Sequence, residues 1–189
     1  MALQIVTTAI PEVKLIKPGV FSDDRGYFME TFHVAKYRSQ GLDTAFVQDN
    51  HSRSTLNVLR GLHYQLRKSQ DKLVMATQGA IFDVAVDIRR GSPTFGAWVG
   101  EVLSDENHYQ LLIPRGFAHG FCALTPTADI LYKCSDYFDP TDDRGIVWSD
   151  PAIGIRWPVH APILSTKDQR LPNLKDADAA GALPTYTGN

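Results

Sequence analysis

The run LRGLHYQ, residues 59–65, holds the first candidates for acid–base chemistry. Arg60 and His63 lie three residues apart, with Gly61 between them. Strict alternation along a strand would put the two side chains on opposite faces, but a β-bulge at the glycine would turn one toward the other. His63 is therefore either a site residue or a buried imidazole bonded to a backbone carbonyl.

Four further residues offer complementary chemistry, and each also has an ordinary structural reading. Lys72 leads an apolar run, where it is a solvated strand end or an ammonium that stabilises an oxyanion in a dry pocket. Tyr132 is a core aromatic or a proton donor. Asp168 is a turn residue or the carboxylate that orients a histidine base. His119 lies in an apolar run and must find a polar partner or face a cavity.

The elements that must position these side chains are short strands. Residues 82–88 alternate between apolar side chains and aspartates or alanine, which predicts a strand. Strands are also predicted over residues 58–65, 72–77, 98–103, 117–124 and 130–138. Only residues 32–40 have helical spacing, with Gly41 as the stop. The pattern predicts an all-β fold, a β-sandwich, jelly roll or barrel with a few short helices.

Charge and missing motifs exclude several classes of function. The 189 residues carry 19 Lys and Arg against 21 Asp and Glu, a net charge of −2, which argues against general nucleic-acid binding. The chain has no GxGxxG, GxxxxGK[ST], GxSxG or HExxH motif. Nicotinamide Rossmann, P-loop and serine-hydrolase chemistry are therefore not expected.

The location and the ends of the chain are also predicted. Residues 116–128 form the longest uncharged run and are too short to span a membrane, and the N-terminus lacks a signal-peptide pattern. We expect a cytoplasmic protein in which Cys122 and Cys134 are reduced and buried. The composition changes after Pro172, which predicts a loosely held tail over residues 176–189.

Taken in order, eight segments resemble the dTDP-4-dehydrorhamnose 3,5-epimerase family, cupin-type enzymes that act on sugar nucleotides. The segments are DRGYFMETF (24–32), QDNHS (48–52), LRGLHYQ (59–65), DVAVDIR (83–89), SPTFG (92–96), IPRGFAHGF (113–121), LYKC (131–134) and LSTKD (164–168). The resemblance implies a cupin jelly roll over residues 1–175 that works as a homodimer, with no metal and no organic cofactor.

The resemblance also implies roles for the catalytic candidates. A ketone at C4 of the sugar acidifies the protons at C3 and C5, so inversion needs a base on one face and an acid on the other. By the family pattern His63 is the base, Asp168 orients it and Tyr132 is the acid. Lys72 stabilises the enolate.

A substrate-binding set follows from the same resemblance: Arg25, Phe28, Glu30, Gln48, Asp49, Asn50, Arg60, His119, Phe138, Asp143 and Lys167. Arg25 and Arg60 are expected to bind the diphosphate, because guanidinium groups match phosphate geometry. Phe138 is expected to stack on the thymine. Arg25, Phe28 and Glu30 are expected to come from the partner subunit.

Three alternatives stay open at this point. Metal-dependent cupins usually carry a His-x-His pair, whereas this chain has His63-Tyr64-Gln65, although His63, His119 and one carboxylate could still form a metal site. A relative on the same scaffold could epimerise only C3 or only C5, or isomerise the keto group. A non-enzymatic protein could simply bind a sugar nucleotide.

Overall fold

The computed structural model describes residues 3–188. Its strands are β1 (Gln4–Thr7), β2 (Lys14–Lys17), β3 (Val20–Asp23), β4 (Gly26–Met29), β5 (Gln48–Thr55), β6 (Leu59–Gln65), β7 (Lys72–Gln78), β8 (Ala80–Asp87), β9 (Trp98–Ser104), β10 (Gln110–Ile113), β11 (Phe117–Ala123), β12 (Thr127–Cys134) and β13 (Asp143–Gly145). The helices are α1 (Val34–Ser39) and α2 (Leu174–Ala179), with a 3₁₀ turn at Asp168–Arg170.

Two antiparallel sheets face each other across the core. The six-stranded sheet has the order β1-β2-β10-β7-β12-β5, and the five-stranded sheet has the order β13-β6-β11-β8-β9. Strands β3 and β4 form a separate hairpin. The all-β prediction is confirmed, and the architecture is that of a jelly-roll sandwich.

Strand β8 shows how the sequence pattern produces this packing. Ala85 faces the core between the sheets, together with Val74 and Ile130 of the six-stranded sheet. Val84 and Val86 face the other side of their sheet and are also fully buried. A strand with apolar side chains on both faces needs a second covering layer.

The C-terminal segment supplies that layer, which corrects the prediction of a loosely held tail. Leu174 and Ala177 of α2, together with Leu183, are buried in the same cluster as Val84 and Val86. Farther along, the Tyr186 N–H donates to the Arg90 carbonyl. Composition alone missed this helix because its apolar residues are few and widely spaced. The domain boundary at residue 175 stays a prediction.

Other sequence predictions are confirmed or adjusted at their ends. Helix α1 ends as predicted, with Gly41 in the left-handed region at a φ of 84°. Strand β12 ends at Cys134 instead of residue 138, so Phe138 lies in the following loop. Cys122 and Cys134 are free and buried. Within residues 3–188, no helix combines the length and apolar character needed to cross a membrane.

The predicted irregularity at Gly61 is also present. His63 lies opposite His119 of β11 and Arg60 lies opposite Phe121, so three steps along β6 match two along β11. The extra residue turns the side chains of Arg60 and His63 toward the same side. Gly61 has a φ of 131°, and a Cβ there would lie 2.5 Å from the Gly120 Cα.

Replacing Gly61 by alanine should therefore be costly. We expect Gly61→Ala to lower the free energy of unfolding by about 3 kcal/mol, because the methyl group meets backbone atoms and the φ is unfavourable. The matched control is Gly41→Ala, which has a positive φ but open space around the added Cβ, and should cost about 1 kcal/mol. Urea unfolding of both variants checks the difference, and equal losses would contradict it.

Candidate active site

A cleft opens between the two sheets and collects most of the predicted site residues. One part, with a volume of about 470 Å³, is lined by residues that include Arg60, His119 and Asp168. The adjoining part, of about 330 Å³, is lined by residues that include Gln48, Asn50, Phe138 and Asp143. His63, Lys72, Tyr132 and Lys167 line both parts. The two parts therefore form one continuous cleft.

His63 is held by a buried carboxylate. Its Nε2 lies 2.6 Å from the Asp168 Oδ1, and Asp168 is only 2 % exposed. Burial raises the pKa of the Asp168 carboxyl, but hydrogen bonds from His63, Ser165 and the Gly61 amide outweigh it and lower the pKa below its usual value. An ionised Asp168 keeps the proton on Nε2, which leaves the lone pair of the neutral ring on Nδ1.

A second histidine–carboxylate pair lies deeper in the cleft. The Nε2 of His119 lies 2.7 Å from the Asp83 Oδ1, and Asp83 is 0 % exposed. Burial lowers the pKa of His119, although the Asp83 carboxylate opposes the shift, and the nearby Lys72 ammonium lowers the pKa further. His119 is therefore a neutral ring that donates to Asp83 and lines the cleft.

Lys72 and Tyr132 lie on neighbouring strands of the six-stranded sheet. Burial lowers the pKa of the Lys72 ammonium, against the opposing effects of Cys134, Asp83 and Asp143. Burial also raises the pKa of the Tyr132 phenol, so that this group keeps its proton in neutral solution. His63, by contrast, lies on the five-stranded sheet. A proton acceptor and a proton donor thus stand on opposite walls of the cleft.

The polar groups at the rim are already engaged with one another. Arg60 donates through Nε to the Ser54 Oγ at 3.1 Å. The Lys167 ammonium forms an ion pair with Asp143. Arg60 has a neutral partner and so keeps its positive charge for an anion at the mouth of the cleft, whereas the charge of Lys167 is balanced by Asp143.

Four predicted binding residues lie outside the cleft of this chain. Alternation along β5 turns Asp49 away from Gln48 and Asn50, and both of its carboxylate oxygens accept from Lys133 Nζ at 3.0 Å, so its role as a binding residue stays a prediction. Arg25 and Phe28 lie on the β3–β4 hairpin, and Glu30 follows it and pairs with Lys36. Their prediction as partner-subunit residues stays a prediction.

Sequence reasoning missed three residues of the site. Asp83 carries the buried pair with His119, and Ser165 bonds to Asp168. Ser52 lines the cleft with a buried Oγ that has no hydrogen-bond partner among residues 3–188. Alternation groups Asp83 with Ala85 on one face of β8, but it does not tell which face of that strand lies toward the cleft. Alternation could have found Ser52, which follows Gln48 and Asn50 at every second position.

No group of three His, Cys, Asp or Glu side chains within residues 3–188 has the geometry to hold a metal ion. His63 and His119 face each other across neighbouring strands, but each is bonded to its own aspartate. Gln65 stands where metal-dependent cupins carry their second histidine, and its amide is bonded to backbone groups.

Comparison with known proteins agrees with this geometry. The family model described as dTDP-4-dehydrorhamnose 3,5-epimerase matches residues 7–176. The chain belongs to this family. The resemblance drawn from the sequence motifs is therefore confirmed.

Individual relatives extend the match over nearly the whole chain. The chain is 56 % identical over 172 residues to the dTDP-4-dehydrorhamnose 3,5-epimerase of Pseudomonas aeruginosa, covering 90 % of this chain and 95 % of the relative. It is also 56 % identical over 167 residues to that of Neisseria gonorrhoeae, covering 88 % of this chain, but it spans only 51 % of that relative. The crystal structure of dTDP-6-deoxy-D-glucose-3,5-epimerase from Legionella pneumophila in complex with dTDP-4-keto-L-rhamnose superposes with a TM-score of 0.95 at 48 % identity, covering 99 % of this chain and 100 % of that one.

The charges around Lys72 make a testable prediction for this member of the epimerase family. Asp83 raises the pKa of Lys72 and Lys167 lowers it, so the two should act in opposite directions when removed. We expect Asp83→Asn to lower the pKa of Lys72 further and Lys167→Met to raise it. Titration of the Lys72 side chain by NMR in both variants measures the shifts. Shifts of the same sign would contradict the placement of the two charges.

Proposed function

We propose that this chain inverts C3 and C5 of dTDP-4-dehydro-6-deoxy-D-glucose and so forms dTDP-4-dehydro-L-rhamnose, a step in dTDP-L-rhamnose biosynthesis. The observation that carries the proposal is the position of His63 and Tyr132 on facing sheets of one cleft. A sugar ring between the sheets has a base on one face and an acid on the other. Removal of a proton from one face and its return to the other is an inversion.

In the proposed mechanism, His63 removes the proton from the carbon next to the C4 ketone. The electron pair of that C–H bond moves into the ring, and the negative charge develops on the C4 oxygen. Lys72 stabilises this enolate with its ammonium group. The attraction between the two charges is stronger in a buried site than in water. Asp168 orients His63 and stabilises the imidazolium that forms.

The second half of the reaction returns a proton from the opposite side. Tyr132 protonates the carbon, the C4 ketone re-forms, and the phenolate regains a proton from solvent. His63 loses its proton to solvent, and the cycle then repeats at the second carbon. Each of these proton transfers contributes roughly 10²–10⁴-fold to the rate. His63, Tyr132 and Lys72 supply the base, the acid and the charge that stabilises the enolate, so the proposal includes no metal and no organic cofactor.

The nucleotide half of the substrate is proposed to lie toward the rim. Arg60 binds the diphosphate, Lys167 and Asp143 contact the nucleotide, and Phe138 stacks on the thymine. His119, Gln48 and Asn50 contact the sugar. These positions all line the cleft, which supports the assignment.

A homodimer is part of the proposal. The β3–β4 hairpin forms its own two-stranded sheet and exposes three aromatic side chains, Phe21, Tyr27 and Phe28, at 60, 57 and 67 %. Such an apolar hairpin supports contact with a second copy, to whose cleft it would bring Arg25. A cytoplasmic location is proposed as well, and the free thiols of Cys122 and Cys134 support it.

Substrate in D₂O, followed by NMR, tests the proposed roles of base and acid. We expect His63→Ala to abolish deuterium incorporation at both C3 and C5, because no other base takes its place. Tyr132→Phe should retain some exchange but lose inversion at C5 and at C3, because His63 still removes protons while the acid is missing.

The matched control is His51→Ala, a histidine on the same sheet as Tyr132 whose ring is exposed and lies 3.7 Å from Asp129. The His51→Ala variant should incorporate deuterium and invert C3 and C5 as the wild-type protein does. Full epimerase activity in His63→Ala would overturn the mechanism. Deuterium at only one carbon in the wild-type protein would instead support the single-position epimerase, and none at all would support a binding module.

Removal of metal ions tests the remaining alternative. We expect dialysis against EDTA to leave turnover unchanged, because the proposed steps are proton transfers by side chains. Metal analysis of the purified protein, before and after dialysis, accompanies the rate measurement. Stoichiometric iron or manganese that turnover requires would favour a metal-dependent cupin.

A further inference from the structure

Gln65, at the end of β6, bonds to the backbone of two different loops through one buried side-chain amide. Its Oε1 accepts from the Asp139 N–H at 2.6 Å. Its Nε2 donates to the Lys68 carbonyl at 2.9 Å and to the Tyr137 carbonyl at 3.4 Å. Gln65 is 5 % exposed, so these bonds are protected from water.

A second glutamine, Gln48, bonds to Phe138, which lies between Tyr137 and Asp139 in the chain. The Oε1 of Gln48, on β5, accepts from the Phe138 N–H at 3.0 Å. The segment of residues 137–139, here called the Phe138 loop, is thus bonded to one glutamine from each sheet. Its backbone is anchored, while the Phe138 ring lies at the cleft and is 52 % exposed.

We infer that Gln65 is a positioning residue for nucleotide binding, which acts through the Phe138 loop. The inference rests on the proposed function, because that supplies the flat base that the ring would stack on. Fixing the loop before the ligand arrives removes an ordering cost from binding. Gln65 lines the cleft, but its amide bonds to backbone groups and not to the side chains proposed to transfer protons, so its loss should affect affinity and not the chemical step.

The experiment measures binding of dTDP by calorimetry and, separately, kcat and KM for the sugar nucleotide. Gln65→Leu should weaken dTDP binding and raise KM by about tenfold, with kcat unchanged within about twofold, because it removes uniform binding. Gln65→Glu keeps the acceptor for Asp139 but loses both donors. Gln65→Glu should also raise the Kd of dTDP and the KM. It therefore replaces Gln65→Leu as the test if that variant does not fold.

A double-mutant cycle with Phe138→Ala identifies the route of the effect. If Gln65 acts through the ring, Gln65→Leu should change the Kd of dTDP by no more than about twofold in the Phe138→Ala background. The full tenfold loss in that background would overturn the inference, as would a fall in kcat with unchanged Kd.

Thr125→Val is the matched control for general loss of loop hydrogen bonds. Thr125 accepts from the Ala80 N–H and donates to the Thr127 carbonyl, and it does not line the cleft. It should leave the Kd of dTDP unchanged, and a tenfold loss there would overturn the inference. Failure of the proposed function would appear in the wild-type protein as missing turnover with dTDP still bound, whereas a wild type that binds no dTDP overturns the inference as well.

Discussion

The burial of ionisable side chains between two apolar sheets is the constraint on which this structure depends. The core between the sheets is apolar, yet Asp83 and Asp168 are buried at its edge. An isolated charge there would cost several kcal/mol, so each carboxylate is paired with a histidine. The same burial lowers the pKa of Lys72 and raises that of Tyr132. Burial between the sheets therefore both requires the two histidine–aspartate pairs and shifts the pKa values of Lys72 and Tyr132.

The jelly roll turns this constraint into a site with two distinct walls. The five-stranded sheet presents the histidines, and the six-stranded sheet presents Lys72 and Tyr132. The C-terminal third of the chain completes both the fold and the site. It covers the outer face of β8, and it brings Asp168 to His63 across 105 residues of sequence. A loss of packing in this segment would disturb the His63–Asp168 pair as well as the core.

The rim of the cleft is built differently from its floor. Strands carry His63, Lys72 and Tyr132, whereas loops carry Phe138 and Lys167, and side-chain amides anchor the Phe138 loop. Gln65 lies at the position of β6 where a metal-dependent cupin would carry a histidine. In this chain its side chain instead bonds to the backbone of two loops, one of which is the Phe138 loop. The proposed division is that strands carry the groups that transfer protons, whereas the anchored Phe138 loop holds the base of the nucleotide.

The sequence by itself determined most strands, the bulge at Gly61 and, through its motifs, the family. Alternation along β8 and β11 is strong because one face of each must pack between the sheets. The sequence could not determine which polar residues face the cleft, since period two is unchanged when a strand is turned over. Only the facing sheet decided that Asp83 points inward and Asp49 outward. The end of β12 and the packing of α2 also depended on tertiary structure, because their hydrogen bonds and apolar contacts come from segments distant in the chain.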